Sequence, residues 1–206
     1  CAVLVATIRA LKLHGGQKFE ELNQENLKAL EEWFKNAEQH FYNLKKFGVP
    51  VVVAINHFSS DTENEINLLT NLCEKNYFPV CFLDGFLNGG KGSVKLAQKV
   101  LETLQTKKAN YKPLYDVNLS IKEKIEIISR EIYHAKGVIF EEKALENINE
   151  IENLGRDKLP VCMAKTPMSF SDNPNLLNVP KDFNITVKEV KISNGAGFIV
   201  VLCGNI

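Results

Sequence analysis

The chain has 206 residues, 45% apolar and 24% charged, enough to bury a core as one large domain or two small ones. Lys and Arg number 25 and so do Asp and Glu, so no net field draws the chain to nucleic acid or to an anionic membrane. No apolar run reaches the length of a membrane span.

The first element is an apolar run, Ala2–Ala6, that reads as a buried strand. It leads into Arg9, Lys12, His14 and the pair Gly15-Gly16. Strands of α/β folds deliver their polar ends to a crevice at the carboxyl edge of the sheet, and paired glycines allow close backbone approach there. From Glu20 to Lys46 the positions Leu27, Leu30, Phe34, Ala37, Phe41 and Leu44 recur at helical steps, until Gly48 and Pro50 break the pattern. Val51–Ile55 is the clearest strand and ends in Asn56-His57-Phe58. Thr62 to Asn76 reads as a second helix and Pro79 to Leu83 as a third strand, followed by Asp84-Gly85-Phe86. Gly89-Gly90-Lys91-Gly92 reads as a loop, with a helix from Ser93, its N-cap, to Leu104. Such alternation implies βαβ units, and continuous apolar runs imply strands of a parallel sheet covered on both faces.

A linker is expected from Thr106 to Pro113, giving an α/β part over residues 1–110 and a smaller α+β part over 111–206. In the second part Ile121–Tyr133 and Glu141–Leu154 read as helices and Leu159–Ala164 as a short strand. Phe183–Val190 and Phe198–Cys203, joined through Asn194-Gly195, read as an antiparallel hairpin.

Phe58 and Phe86 sit just past two strands expected to be neighbours, where two rings either pack a lid or sandwich a flat heterocycle. The glycine loop with Gly89 and Gly90 either punctuates the chain or cradles a phosphate, although the Gly-x-x-x-x-Gly-Lys-Ser/Thr string of a P-loop is absent. Arg9, Lys12 and His14 are either surface charge or contacts to an anion. The polar stretch Ala164–Asp172, with Lys165 and Ser169, is either a functional loop or a turn held by Ser and Asp side chains. The four histidines show no metal spacing and no Ser/His/Asp set, so no metal site is expected. Lys45-Lys46 and Lys107-Lys108 are too short for a nucleic-acid patch. Five scattered cysteines without a Cys-x-x-Cys pair point to a reduced, cytoplasmic protein. No secretory signal precedes the first strand. A start on Cys1, already inside a strand, and an end at Gly204-Asn205-Ile206, just past another apolar run, suggest a fragment of a longer protein.

The string Val5-Ala6-Thr7-Ile8-Arg9-Ala10-Leu11-Lys12-Leu13-His14-Gly15-Gly16 closely resembles a signature of formate–tetrahydrofolate ligases. Val51–Asp61, Gly89–Val100, Ile125–Tyr133, Leu159–Asp172 and Gly195–Gly204 support the likeness, which extends over essentially the whole chain. The resemblance implies the central and C-terminal part of a P-loop NTPase-like ligase, its P-loop portion absent. It implies formation of 10-formyltetrahydrofolate from formate, tetrahydrofolate, ATP and Mg²⁺ through formyl phosphate, with the main nucleotide site outside this chain and a homo-oligomeric parent. Phe58 and Phe86 would flank the pterin, and Arg9, Lys12, His14, Gly15, Gly16, Gly89, Gly90, Lys165 and Ser169 would be candidate anion or active-site positions. The family usually carries Trp at position 86; Phe keeps a shorter π face and lacks the indole donor. A non-catalytic folate-binding domain and a purely structural one are the competing expectations.

Overall fold

In a computed structural model, which describes residues 1–204, the chain divides into two compact units, Cys1–Lys112 and the chain from Pro113 onward. The protein is α/β, with a parallel three-stranded sheet in the first unit and a mixed four-stranded sheet in the second.

The first sheet is β1 (Ala2–Ala6), β2 (Val51–Asn56) and β3 (Val80–Leu83), in that order and all parallel. Val51–Ile55 of β2 are all buried, which is why this strand reads so plainly in the sequence. Val51, Val53 and Ile55 enter a core with Leu30, Phe34, Phe41, Leu69, Cys73 and Phe78. The rings of Phe41 and Phe78 stack there with centroids 3.8 Å apart. This core is closed by α2 (Leu27–Lys45) and α3 (Glu63–Lys75). The long helix expected from Glu20 begins later, because the Asn26 side chain accepts from the Ala29 amide at 3.0 Å and caps α2 there. A capping box starts α3: Thr62 Oγ1 accepts from the Glu65 amide and Glu65 Oε2 accepts from the Thr62 amide, both at 3.2 Å.

Four features differ from expectation. Residues past β1 form a helix, α1 (Ile8–His14), because the Thr7 hydroxyl accepts from the Ala10 amide at 3.1 Å and starts it directly. The β1 strand is covered on one face only: Val3 and Val5 are 40% and 55% exposed, since α4 (Gly85–Thr106) packs over β2 and β3. That helix also absorbs the expected glycine loop. Its first turn begins at Gly85, and the break lies at Gly89 alone, whose φ of 54° and ψ of −136° favour glycine. Ser93 is therefore inside the helix and donates to the Gly89 carbonyl instead of capping. Residues 106–112 are anchored as well as connecting, with the Asn110 amide donating to the Gly48 carbonyl at 2.8 Å.

In the second unit the strands run in the order β4 (Gly137–Phe140), β6 (Asn184–Ser193), β7 (Phe198–Cys203), β5 (Val161–Ala164). The central pair is the expected antiparallel hairpin; each outer strand is parallel to its neighbour. Helices α5 (Ile121–Glu131) and α6 (Glu142–Asn153) bring Ile121, Ile125, Ala144 and Ile148 against Ile185, Val187, Ile199 and Val201, all fully buried. The strand β4 is absent from the sequence reading. It is only four residues long, and its partner lies 47 residues later, so no local period announces it. All five cysteines are free thiols.

Candidate functional site at the strand ends

The carboxyl ends of β1, β2 and β3 lie side by side, and the candidate residues of the first unit cluster there because the ladder continues past the strands. The His57 amide donates to the Leu83 carbonyl at 2.9 Å, setting His57 next to Asp84. His57 Nδ1 and Asp84 Oδ1 are 3.4 Å apart, and the imidazole leans on Phe82 with centroids 5.1 Å apart. The other oxygen of Asp84 accepts from the Asn88 side chain. The loop after His57 is closed on itself. Asp61 Oδ2 accepts from the Phe58 amide at 2.8 Å while the Asp61 amide donates back to the Phe58 carbonyl at 2.9 Å. Burial raises the Asp61 carboxyl above its ordinary range against the lowering effect of the Phe58 amide and of His57.

Arg9, in the first turn of α1, reaches across to place its guanidinium carbon 5.7 Å from the centre of the Phe58 ring, within cation–π range. Phe58 is half-buried, whereas Phe86, in the first turn of α4, is 82% exposed. Phe86 therefore stands outside the core.

The glycine pair Gly15-Gly16 ends α1. A Cβ on Gly15 would come within 2.6 Å of the Trp33 ring, and Gly16 adopts a φ of 78°. Close approach here is to Trp33. His14 and His40 line a cavity of about 240 Å³ between α1, β1 and α2. Gly90 stands in open space.

Lys12, expected among the anion contacts, is instead a buried structural cation. Its ammonium is fully enclosed, donating to Glu65 Oε1 at 2.8 Å and to the Gln24 carbonyl at 2.9 Å. Glu65 Oε1 also accepts from the Asn26 amide at 3.0 Å. A helix face that buries Ile8 and Leu11 carries Lys12 inward with them.

A family model described as formate–tetrahydrofolate ligase matches residues 1–206. The chain belongs to the formate–tetrahydrofolate ligase family. Membership implies ligase activity on formate and tetrahydrofolate, in one-carbon metabolism, for the parent protein. It does not by itself say which side chains act. His57 and Asp84, which the sequence places just past two strands without assigning them a role, come together there with Asp61. The sequence signal for the Asp61 turn was the short Phe-Ser-Ser-Asp segment that follows an apolar strand.

The remaining candidates belong to the second unit. Lys165, just past β5, donates to the carbonyls of Thr166, at 3.0 Å, and Ser169, and lies 4.9 Å from the centre of the Tyr133 ring. No carboxylate is paired with it among the described residues. Ser169 Oγ accepts from the Ser171 amide at 2.9 Å and donates to the Leu176 carbonyl, so Ser side chains hold this turn. Burial lowers the Lys165 ammonium to about 8, and pushes the Cys203 thiol and the Tyr133 phenol up to about 12.

A stability effect follows. The folded state releases the Lys165 proton near pH 8 and the unfolded state near 10.5, so between those values the unfolded chain binds more protons. Wild type therefore gains stability relative to Lys165→Met as pH rises from about 8 to 10.5. Thermal melts of both proteins across that range test the sign. A difference that stays flat or runs the other way would mean that Lys165 keeps its charge in the fold.

Proposed function

We propose that the protein is part of an ATP-dependent ligase that forms 10-formyltetrahydrofolate from formate and tetrahydrofolate through formyl phosphate. The pterin rests against Phe58 and Phe86 at the carboxyl edge of the parallel sheet, and this chain forms the folate wall of the active site. Support comes from one observation above the rest: an open aromatic at the start of α4, beside β3, and a half-buried one past the neighbouring β2 with Arg9 on its ring, in a chain matched by the family over its whole length. Stacking of aromatic faces suits a flat heterocycle there.

The described residues do not fit the main ATP and Mg²⁺ site. They contain no P-loop string and no cluster of three or more His, Cys, Asp or Glu placed to hold a metal. That site belongs, in this reading, to a P-loop NTPase-like portion of a homo-oligomeric parent. The isolated 206 residues are then inactive, while the full-length protein makes 10-formyltetrahydrofolate. Robust ATP-dependent synthesis by the 206-residue chain would refute this division.

The aromatic pair has its own test. Phe58→Ala and Phe86→Ala in the full-length protein each raise the folate KM about five-fold, matching a stacking contribution on the order of 1 kcal/mol. Because Phe86 is 82% exposed, its removal leaves the melting temperature unchanged, which separates binding from folding. Unaltered folate kinetics in both variants would remove the sandwich.

A further inference from the structure

We propose that His57, oriented by Asp84, accepts the proton released when the folate amine takes the formyl group. The inference rests on the ligase reading above and adds a reacting group to it.

The argument starts from chemistry that the reaction cannot avoid. The amine nitrogen attacks the formyl carbon of the acyl phosphate and forms a C–N bond. The C–O bond to phosphate breaks, and its electron pair leaves with the phosphate. The nitrogen that attacked carries a proton it must lose, and a base within reach of the bound folate has to take it. Imidazole suits this task at neutral pH.

His57 directly precedes Phe58, the ring assigned to the pterin. Its Nδ1 faces Asp84 Oδ1 at 3.4 Å, and among the described residues no hydrogen bond is made at Nε2. A carboxylate at Nδ1 keeps the proton on that nitrogen, leaves the Nε2 lone pair for substrate, and stabilises the imidazolium once it forms. The 3.4 Å separation is long for a hydrogen bond, as catalytic pairs commonly are before substrate binds. Asp84 is held in turn by the Asn88 side chain and by the Phe82–Leu83 strand end, so the pair stands on β2 and β3 rather than on a free loop. The other carboxylate nearby, Asp61, already has one oxygen on the Phe58 amide. Asp84 and Asp61 are the carboxylates facing the imidazole, and Arg9 lies against the adjacent Phe58 ring.

The test uses the full-length protein with His57→Gln, His57→Ala and Asp84→Asn. In both His57 variants kcat falls at least 100-fold, in the range of general-base catalysis, while the folate KM stays within three-fold. Formate-dependent ATP cleavage, which precedes the transfer, is unchanged and certifies that the variants are folded. In Asp84→Asn kcat falls about ten-fold while the folate KM stays within three-fold, the split expected of a residue that positions His57. A His57→Gln enzyme with kcat within three-fold of wild type overturns the proposal. So does a loss confined to KM, or an equal loss of ATP cleavage and formyl transfer. A wild type that makes no 10-formyltetrahydrofolate sinks the ligase reading and this inference together, whereas an active wild type beside an unaffected His57→Gln sinks only the inference.

Discussion

Replacing Lys12 by methionine lowers the opening free energy of the first unit by about 3–5 kcal/mol, the cost of stranding a buried charge. Both partners of the Lys12–Glu65 pair are closed to solvent, and the oxygen that Lys12 neutralises also accepts from the Asn26 amide. Removing the ammonium leaves Glu65 ionised without a counter-charge, or forces it to bind a proton. Three elements meet at this point: α1 carries Lys12, α3 carries Glu65, and Asn26 caps α2. The loss is therefore felt by the whole core and not by one helix. Hydrogen exchange at the β1 and β2 amides is the suitable readout, because a chain of two compact units need not unfold in a single step. Adding Glu65→Gln to Lys12→Met restores part of the loss by removing the orphaned charge. Exchange rates in Lys12→Met within about 1 kcal/mol of wild type would show that water reaches the pair in solution.

The second large effect is expected at Gly92. A Cβ there would lie 2.0 Å from the Asp84 carbonyl oxygen and 2.5 Å from its carbon, so the backbone itself must move. The glycine lets α4 fold back until the Asp84 amide donates to the Gly92 carbonyl at 3.2 Å. Gly92→Ala pushes this turn away from the end of β3, and the turn carries both Asp84 and Phe86. A displacement near 1 Å at a reacting group costs about 100-fold in rate, so kcat/KM for folate falls by that order in the full-length protein. Gly195→Ala is the control: its Cβ would meet nothing within 4 Å, and activity stays near wild type. Equal activity of the two variants would mean that the Asp84–Gly92 contact does not position the site.

Much of the fold was legible because its signals are local. The β2 strand opens with five buried apolar residues in a row, and the hairpin of β6 and β7 shows alternation around an Asn-Gly turn. Thr62 and Glu65 announce the start of α3 three residues apart. Apart from β4, which carries no local signal, the missed features had competing ones. A glycine-rich run at 89–92 reads as loop, yet only Gly89 departs from helical geometry, since glycine permits a break without demanding one. The helix α1 was overlooked although Thr7, Ile8, Leu11 and Gly15 together mark a capped, amphipathic turn.

The order of residues alone determined every sheet-forming run but β4, the placing of two aromatics past strand ends, and membership of the ligase family, since each is written in short stretches of chain. Tertiary structure decided the fate of the polar groups. Lys12 became interior because Glu65, far along the chain, waits for it on another helix. His57 became a partner of Asp84 only because β2 and β3 pair in register. A charged side chain reads the same in sequence whether water or a counter-charge will surround it; burial and pairing emerge only when distant segments pack.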